Sequence, residues 1–305
     1  MNYKRITRKK LRKIISSILA VVMLCSCLCG CEELEEFLDY DLSVEPKNHE
    51  ELLISHYIDV GQGDCEFIEF PDGKTMLIDA GTSKSSETII DYIEGLGYSE
   101  INYVVATHPH ADHIGGMADV IKYFDIGQIY MPYASTTTKI FENLLTTIQD
   151  KNKKITTAKA GMNITESKSL DFTADIIAPI SDKYDDMNNY SVVITIQYGD
   201  NRFLYTGDAE KEVENELLEE DADVSADVIK VGHHGSNTSS SAKFVKAVGA
   251  EYAVFSLGKD NDYGHPHSEV VKRWKKAGAK ILRTDKNGTI VITSDGIEIN
   301  ADTET

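Results

Sequence analysis

The stretch Thr107-His108-Pro109-His110-Ala111-Asp112-His113 places three imidazoles and one carboxylate within the six positions from 108 to 113. It directly follows Tyr103-Val104-Val105-Ala106, an apolar run that is typical of a buried strand. Loops that follow strands often carry catalytic side chains, because the sheet beneath holds them rigidly. The stretch therefore predicts a functional site at the end of a strand. A polar loop with a few surface histidines is the alternative, and it does not account for this density of ligand side chains.

The spacing of these side chains favours a site with two metal ions. His108 and His110 alternate along the chain, so both can face one ion in an extended turn. Asp112 and His113 can then turn toward a second ion. Neutral imidazole and carboxylate are ligands that suit zinc, whereas manganese or iron would suit a site richer in oxygen. We therefore expect two divalent metal ions as cofactors, with zinc as the first choice.

The first 31 residues differ in composition from the rest of the chain. Positions 4–13 carry seven lysines and arginines, and an apolar run extends from Ile14 to Leu28. This pattern predicts a secretory signal peptide, which is too short for a membrane-spanning helix. Leu28-Cys29-Gly30-Cys31 resembles the bacterial lipobox and predicts a lipid on Cys31, whereas Leu24-Cys25-Ser26-Cys27 is a competing cleavage point. An uncleaved anchor would change the attachment but not the compartment.

These features predict a protein that is exported and anchored as a lipoprotein to the outer face of the cytoplasmic membrane, or secreted. Residues 32–51 are acidic and poor in apolar side chains, so we interpret them as a solvated tether, and 52–305 as the folded domain. Without its first 31 residues the chain has 24 basic and 50 acidic side chains, a net charge of −26. This charge argues against tight binding of duplex nucleic acid, because phosphate contacts need lysine and arginine.

Three later stretches can complete the metal site. Leu204-Tyr205-Thr206-Gly207-Asp208 delivers a carboxylate that has two oxygens to share between ions, although Asp208 could instead cap the following helix. His233-His234-Gly235-Ser236 again follows a buried strand. One of its histidines should bind the second ion, and we favour His234. His233 would then contact substrate or support a ligand. In Gly264-His265-Pro266-His267, His265 is a candidate contact for substrate or leaving group, or a purely structural histidine.

Two runs of mixed strands with helices between them predict an α/β fold with two sheets packed face to face and helices outside. The ordered motifs also resemble a known family. Asp59-Val60-Gly61-Gln62-Gly63-Asp64, Leu77-Ile78-Asp79-Ala80-Gly81, the HxHxDH stretch, Thr206-Gly207-Asp208 and His233-His234-Gly235-Ser236 are similar to motifs of the metallo-β-lactamase superfamily. The resemblance is greatest to its branch containing the extracytoplasmic domain of ComEC-type competence proteins.

The resemblance implies an αββα four-layer sandwich with two metal ions at the edge between the sheets. It implies that His108 and His110 hold one ion. Asp112, His113 and one histidine of the 233–234 pair would hold the other, Asp208 would bridge, and Asp79 would support the ligands. The chain has no histidine from Ile114 to Gly232, and Asn188-Asn189-Tyr190-Ser191 takes the place of a further ligand of the β-lactamases. β-Lactam hydrolysis is therefore not expected. The multiple membrane helices of ComEC proteins are missing too, so the chain should not itself be a DNA channel.

These observations predict a phosphodiesterase or related phosphoester hydrolase that uses a metal-activated hydroxide. Asp112 would orient the attacking water, while His265, Asn189 and the backbone amides at Gly235 and Ser236 would stabilise charge on the substrate oxygens. We expect a small-molecule or polymeric phosphoester as substrate. Two alternatives stay open: hydrolysis of a lactone, thioester or amide, and a surface binding lipoprotein without catalytic activity.

Overall fold

The computed structural model describes residues 51–304. The predicted signal peptide, the predicted lipidation site Cys31 and all but the last residue of the predicted acidic tether lie outside this range. The described chain forms fifteen strands. In chain order they are β1 (Leu53–Tyr57), β2 (Glu66–Glu69), β3 (Thr75–Ile78), β4 (Glu100–Val105), β5 (Asp125–Met131), β6 (Ile155–Thr157), β7 (Met162–Ser167), β8 (Phe172–Ala178), β9 (Val193–Tyr198), β10 (Asn201–Tyr205), β11 (Val228–Lys230), β12 (Tyr252–Phe255), β13 (Lys280–Arg283), β14 (Ile290–Ser294) and β15 (Ile299–Thr303).

The strands form two mixed sheets. The first has eight strands in the order β15-β14-β1-β2-β3-β4-β5-β6, and the second has seven in the order β13-β12-β11-β10-β9-β8-β7. In the first sheet β3, β4, β5 and β6 run parallel to one another. In the second sheet β10, β11, β12 and β13 do so. Each sheet therefore has a parallel half, and the loops that follow parallel strands gather at one edge, where ligand sites form.

Eight α-helices accompany the sheets. They are α1 (Ser86–Leu96), α2 (Ala111–Ile114), α3 (Met117–Tyr123), α4 (Lys139–Asp150), α5 (Lys211–Glu219), α6 (Ala242–Val248), α7 (Ser268–Ala277) and α8 (Thr284–Asn287). Short 3₁₀ turns span Met187–Tyr190 and Gly232–Gly235. None of the helices within residues 51–304 has the length and apolar character needed to cross a bilayer.

Three apolar clusters hold these layers together. One lies between the sheets and joins side chains such as Ile68 and Val105 of the first sheet to Phe203 and Val254 of the second. The second packs α1, α3 and α4 on the outer face of the first sheet, and the third packs α5, α6 and α7 on the outer face of the second. Burial of these apolar faces drives the layers together. The predicted αββα four-layer sandwich is confirmed.

The predicted element boundaries differ from the structure mainly at helix starts and at the sheet edges. The sequence pattern predicts one helix from Ser83 to Leu96 and another from Ala209 to Glu220, whereas in the structure these helices begin at Ser86 and Lys211. The sequence also suggests paired strands from Leu170 to Ala178, but this segment forms the single strand β8, which pairs with β7 and β9.

Candidate metal centre

The loop after β4 delivers the first group of ligand side chains. His108 and His113 are fully buried. The Nδ1 atom of His108 lies 3.1 Å from the Thr107 hydroxyl and 3.3 Å from that of Ser191, and its Nε2 lies 2.9 Å from Nδ1 of His110. The short helix α2 begins at Ala111 and brings the side chains of Asp112 and His113 back toward this pair. The spacing that suggested metal binding therefore converges in space.

Asp79, at the end of β3, orients His113. Its Oδ1 accepts a hydrogen bond from the Thr107 amide (2.8 Å), and its Oδ2 accepts from the Thr107 hydroxyl (2.6 Å) and from Nδ1–H of His113 (2.7 Å). Because the proton of His113 is held on Nδ1, its Nε2 is left as the free ligand atom. A carboxylate behind a histidine commonly sets a metal ligand in this way. Asp79 therefore lies where the sequence predicted a supporting residue.

Asp208, in the loop after β10, lies at the centre of the cluster. Its Oδ2 is 3.2 Å from Nε2 of His113, 3.6 Å from Nε2 of His234, and 3.8 Å from Nε2 of both His108 and His233. The Asp208 amide donates a hydrogen bond to the Ser191 hydroxyl (3.0 Å). One carboxylate oxygen thus faces four imidazoles from two loops. This geometry is compatible with the predicted bridging role.

The turn after β11 contributes both of its histidines. His233 and His234 have left-handed backbones, with φ of 51° and 50°, which are uncommon for residues other than glycine. Nδ1 of His234 lies 2.9 Å from the Ser256 carbonyl oxygen, so its Nε2 points toward Asp208. His233 also directs Nε2 toward Asp208, while its Nδ1 lies 3.2 Å from Glu210. The strained turn brings the two rings to one carboxylate, but His234 is buried and belongs to two groups of convergent ligand atoms, whereas His233 is partly exposed and belongs to none.

The cluster lies at the base of an open pocket of about 330 Å³. His265 contributes to its wall, with its ring centroid 5.6 Å from that of His233 and 5.7 Å from that of the exposed Tyr263. Burial and the neighbouring histidines, chiefly His234, lower the pKa of His265 to about 4. His265 is therefore a neutral imidazole at neutral pH. The pocket is lined by Gln62, His110, Ala111, Asp112, Asn188, Asp208, His233, His234, Tyr263 and His265.

Two predicted substrate contacts lie away from this wall. Asn189 donates to a carboxylate oxygen of Glu212 (2.7 Å) and accepts from the amide of Glu210 (3.1 Å), whereas its neighbour Asn188 lines the pocket. The Ser236 amide, one of the two predicted to stabilise substrate charge, donates to the His233 carbonyl (2.7 Å), and the buried Ser236 hydroxyl pairs with that of Thr238 at 3.0 Å. The sequence indicated the correct turn in each case. It could not indicate which side chain of the turn faces the pocket.

The donor set fits divalent metal ions. Nε2 of His113, Nε2 of His234 and Oδ1 of Asp208 are buried and have no hydrogen-bond partner within the described part of the chain. Buried polar atoms without partners are rare, and convergent ones indicate an ion site. Four groups of three residues have ligand atoms within 4.8 Å of one another. They are His108, His113 and Asp208; Asp112, His113 and His234; Asp64, Asp208 and His234; and Asp64, Asp79 and His113. His110 adjoins these groups through His108 but belongs to none.

Charge supports the same interpretation. Burial alone would raise the pKa of Asp208, but His113 and His234 lower it well below its usual range. Burial lowers the pKa of His234, but Asp208 and Asp64 outweigh this effect and raise it to about 10. In the metal-free protein the carboxylates thus hold protons on these imidazoles. A divalent cation can replace those protons, because metal ligands must be deprotonated.

Sequence reasoning missed several residues around the cluster. Gln62 and Asn188 line the pocket, and Ser191 contacts both His108 and Asp208. Asp64 and Lys230 form a buried ion pair beside His234. The signal for Asp64 was its position as the last residue of the Gly61-Gln62-Gly63-Asp64 motif. Lys230 was visible as the one charged residue of an apolar strand.

Comparisons with known proteins agree with the fold and the cluster. The profile of the metallo-beta-lactamase superfamily matches residues 58–259. ComE operon protein 3 of Bacillus subtilis is 31% identical over 250 residues, which cover 76% of this chain and 32% of that protein. Competence protein ComA of Neisseria gonorrhoeae is 29% identical over 83% of this chain and 34% of its own length. The chain therefore spans about a third of the curated relatives that it matches.

Among solved structures, CmlA, a diiron beta-hydroxylase from Streptomyces venezuelae, matches with a TM-score of 0.52 and 14% identity. The match covers 76% of this chain and 52% of that one. At this identity the likeness concerns the fold alone. The profile match, the competence-protein relatives and the histidine–aspartate cluster support one conclusion. The chain belongs to the metallo-beta-lactamase superfamily, within its ComEC-like branch, and its fold and donor cluster are those of a metal-dependent hydrolase.

Proposed function

We propose that this domain hydrolyses phosphodiesters or related phosphoesters with the help of divalent metal ions. The observation that carries the proposal is the position of Asp208, whose Oδ2 lies within 3.8 Å of the ring nitrogens of four histidines at the base of an open pocket. Ions held there would activate water and polarise a phosphoryl oxygen. Zinc is the first choice for this mixed nitrogen and oxygen donor set, with manganese and iron next.

The wall of the pocket favours a polar substrate. Nearly all of its residues end in an imidazole, amide, carboxylate or hydroxyl group, and Ala111 is the exception. Pockets for apolar ligands are instead lined mainly by hydrophobic side chains. A phosphoester needs such polar partners on its charged oxygens, whereas the acyl group of a lactone or thioester would gain little from them. This contrast favours the phosphoester over the acyl alternatives.

The residues of the pocket have distinct tasks in the proposed reaction. Asp112 is partly exposed, and its Oδ2 lies 3.3 Å from Nε2 of His234. Burial raises the pKa of Asp112, but the hydrogen bond from His234 and the charge of His113 outweigh this effect and hold it well below its usual range, so the ionised carboxylate can accept a hydrogen bond from an attacking water and orient it. The neutral ring of His265 can donate a hydrogen bond to the departing oxygen. Asn188 can donate to an equatorial oxygen, the task predicted for Asn189. Asp79 and Ser191 keep His113 and His108 in place.

The test is cleavage of bis-p-nitrophenyl phosphate by the full chain with zinc, manganese or iron added. We expect Asp208→Ala and His110→Ala to lower kcat/KM by at least about 100-fold, beyond the usual effect of a residue that only supports a ligand. Asp200→Ala is the matched control. Asp200 lies in the exposed turn before β10, at the opposite end of the strand that leads to Asp208. The Asp200→Ala variant should have the activity of the wild type.

Other outcomes would identify the alternatives. Cleavage of p-nitrophenyl acetate and other acyl substrates, but of no phosphodiester, would indicate an acyl hydrolase. Bound metal with no turnover on a broad panel would indicate a binding protein. Equal loss of activity in Asp200→Ala and Asp208→Ala would show that the assay reports stability and not the metal site.

The export and anchoring of the chain are a further part of the proposal. They rest on the basic head, the apolar run and the lipobox-like Leu28-Cys29-Gly30-Cys31. Mass spectrometry of the N-terminal peptide from the membrane fraction tests them. We expect a diacylglyceryl group on Cys31, and its loss in Cys31→Ser but not in Cys27→Ser. A lipid on Cys27 would move the cleavage point, and an unmodified chain in the cytoplasm would refute the proposal.

A further inference from the structure

A buried ion pair lies behind the metal cluster. Nζ of Lys230, the last residue of β11, is 2.5 Å from Oδ2 of Asp64, which follows β1. Both residues have no exposed surface. Within residues 51–304, Lys230 is the only lysine or arginine that is buried. Four carboxylates are buried around it and the histidines, those of Asp64, Glu66, Asp79 and Asp208.

Lys230 connects the loops that carry the ligand side chains. Its ammonium group donates a hydrogen bond to the carbonyl of Val231 (3.0 Å) and lies 3.5 Å from that of Gly207. Gly207 immediately precedes Asp208, and Val231 precedes the turn with His233 and His234. One fixed positive charge therefore joins the loops after β1, β10 and β11. A buried charge persists only where its partners are good, so the arrangement is specific.

Asp64 is itself close enough to act as a metal ligand. It belongs to two of the four groups of convergent ligand atoms, one with Asp208 and His234 and one with Asp79 and His113. Its two oxygens are occupied differently. Oδ2 contacts the ammonium group of Lys230, and Oδ1 lies 3.1 Å from Nδ1 of His234, the ring nitrogen that faces away from Asp208. Both oxygens are buried and neither has a hydrogen bond of good geometry within the described residues, so the positive charge of Lys230 is what neutralises this carboxylate in place of an ion.

We propose that Lys230 is a positioning residue that keeps Asp64 out of the metal ligand set and holds it as the acceptor behind His234. Asp64 thereby orients His234 as Asp79 orients His113, and both rings present Nε2 to the same carboxylate. The Ser256 carbonyl shares the Nδ1 proton of His234 at 2.9 Å. The inference rests on the proposed function only in requiring that the cluster binds metal.

Removal of the lysine charge should convert Asp64 from a supporting residue into a ligand. In Lys230→Met the carboxylate loses its fixed counter-ion, and a bound metal ion becomes the available replacement. We therefore expect the weaker of the two ions to bind about tenfold more tightly, while kcat falls by about 10–100-fold because His234 loses its orienting partner. A merely structural lysine would lower stability without raising metal affinity.

The experiment compares full-length wild type, Lys230→Met, Asp64→Asn and the double variant, each purified in detergent and loaded with Co²⁺. The visible absorption of Co²⁺ reports the number and type of ligands, and competition with a chromophoric chelator reports affinity. We expect Lys230→Met to weaken the Co²⁺ absorption bands, as an added ligand does. The double variant should match Asp64→Asn within about twofold in affinity and in spectrum, because Lys230 acts through Asp64. Lys280→Met is the matched control, since Lys280 pairs with Glu251 at the exposed end of the same sheet.

Two results would overturn the inference: a folded Lys230→Met with the affinity and spectrum of the wild type, or changes of equal size with and without Asp64→Asn. If Lys230→Met does not fold, the double variant decides. Removal of both partners leaves no buried charge unpaired, so the double variant should fold by circular dichroism, and its Co²⁺ affinity and spectrum should match those of Asp64→Asn. Failure of the double variant to fold overturns the inference. The metal measurements need no turnover, so loss of the proposed phosphodiesterase activity alone would leave them unaffected.

Discussion

The substitution Asp79→Asn tests whether a carboxylate behind a ligand histidine sets the metal affinity of the cluster. Asp79 is fully buried and accepts three hydrogen bonds, two from Thr107 and one from His113. Asparagine keeps the shape and can still accept from the Thr107 amide. Its NH₂ group, however, faces Nδ1 of His113 and requires that nitrogen to accept. The His113 proton must then move to Nε2, the atom that faces Asp208.

The expected magnitude follows from this change of tautomer. Changes in residues that support a metal ligand commonly cost about 10–100-fold in affinity, which corresponds to about 1.4–2.8 kcal/mol. In the metal-free protein, Asp79→Asn also removes the charge-assisted hydrogen bond between Asp79 and His113, and we expect this loss to lower the unfolding free energy by ~1.5–3 kcal/mol. Chelator competition measures the first quantity, and urea denaturation in the presence of EDTA measures the second.

The two measurements separate orientation from simple destabilisation. We expect Asp79→Asn to lower both quantities and the control Asp200→Asn to change neither. Metal affinity within twofold of the wild-type value, together with a loss of stability, would refute the claim that Asp79 orients His113. It would show that Asp79 stabilises only the loop around Thr107.

Further predictions concern pH, metal binding and one close backbone contact. In the metal-free protein the carboxylates raise the pKa of His234 to about 10 and that of His113 well above its usual value, against the effect of burial. A histidine whose pKa is raised in the folded state contributes its full stabilisation below the unfolded pKa of about 6.5, and this contribution is lost as the pH rises. Urea denaturation should therefore show that the unfolding free energy falls between pH ~6.5 and pH ~10, by at most ~1.4 kcal/mol per pH unit for each histidine. An unfolding free energy that stays constant or rises over this range would contradict the assignment. Metal binding must displace the same protons. The logarithm of the metal affinity, measured by chelator competition, should therefore rise with pH with a slope of about 1–2. A slope of zero would show that neither histidine is a ligand. Gly63→Ala would place a Cβ 2.3 Å from the carbonyl oxygen of Asp112, so thermal unfolding should reveal a loss of about 1–3 kcal/mol. Gly73→Ala is its control, since Gly73 also has a positive φ but no atom within 4 Å of the new Cβ, and an equal loss there would exclude the close contact as the cause.

Much of the architecture could be predicted because the ligand side chains directly follow apolar strands. The runs before Asp79, His108, Asp208 and His233 are all strands in the structure. Parallel strands place their following loops at one edge, so order along the chain was sufficient to predict convergence. The family resemblance rested on these motifs, and the profile match and the relatives confirm it.

Finer assignments depended on local backbone geometry that has no sequence code. His233 and His234 both reach Asp208, since consecutive left-handed residues turn the two rings to the same side. A 3₁₀ turn likewise decides that Asn188 and not Asn189 faces the pocket. Such conformations reflect tertiary packing more than the preferences of the residues themselves.

Lys230 shows a different limit of sequence reasoning. A lone lysine in an apolar strand is expected to reach solvent, because a buried charge is costly without a partner. The partner, Asp64, lies 166 positions earlier and comes from the other sheet. Nothing in the sequence pairs the two residues. Only the folded arrangement shows that they form a pair behind the metal ligands.

The metal content of the wild-type chain and of Asp208→Ala tests the central claim most directly. We predict two divalent transition-metal ions per purified wild-type chain. Asp208→Ala should lose at least one of them, together with metal-dependent cleavage of bis-p-nitrophenyl phosphate. A wild-type protein that takes up no transition metal, or an Asp208→Ala variant that keeps both ions and full activity, would contradict the account.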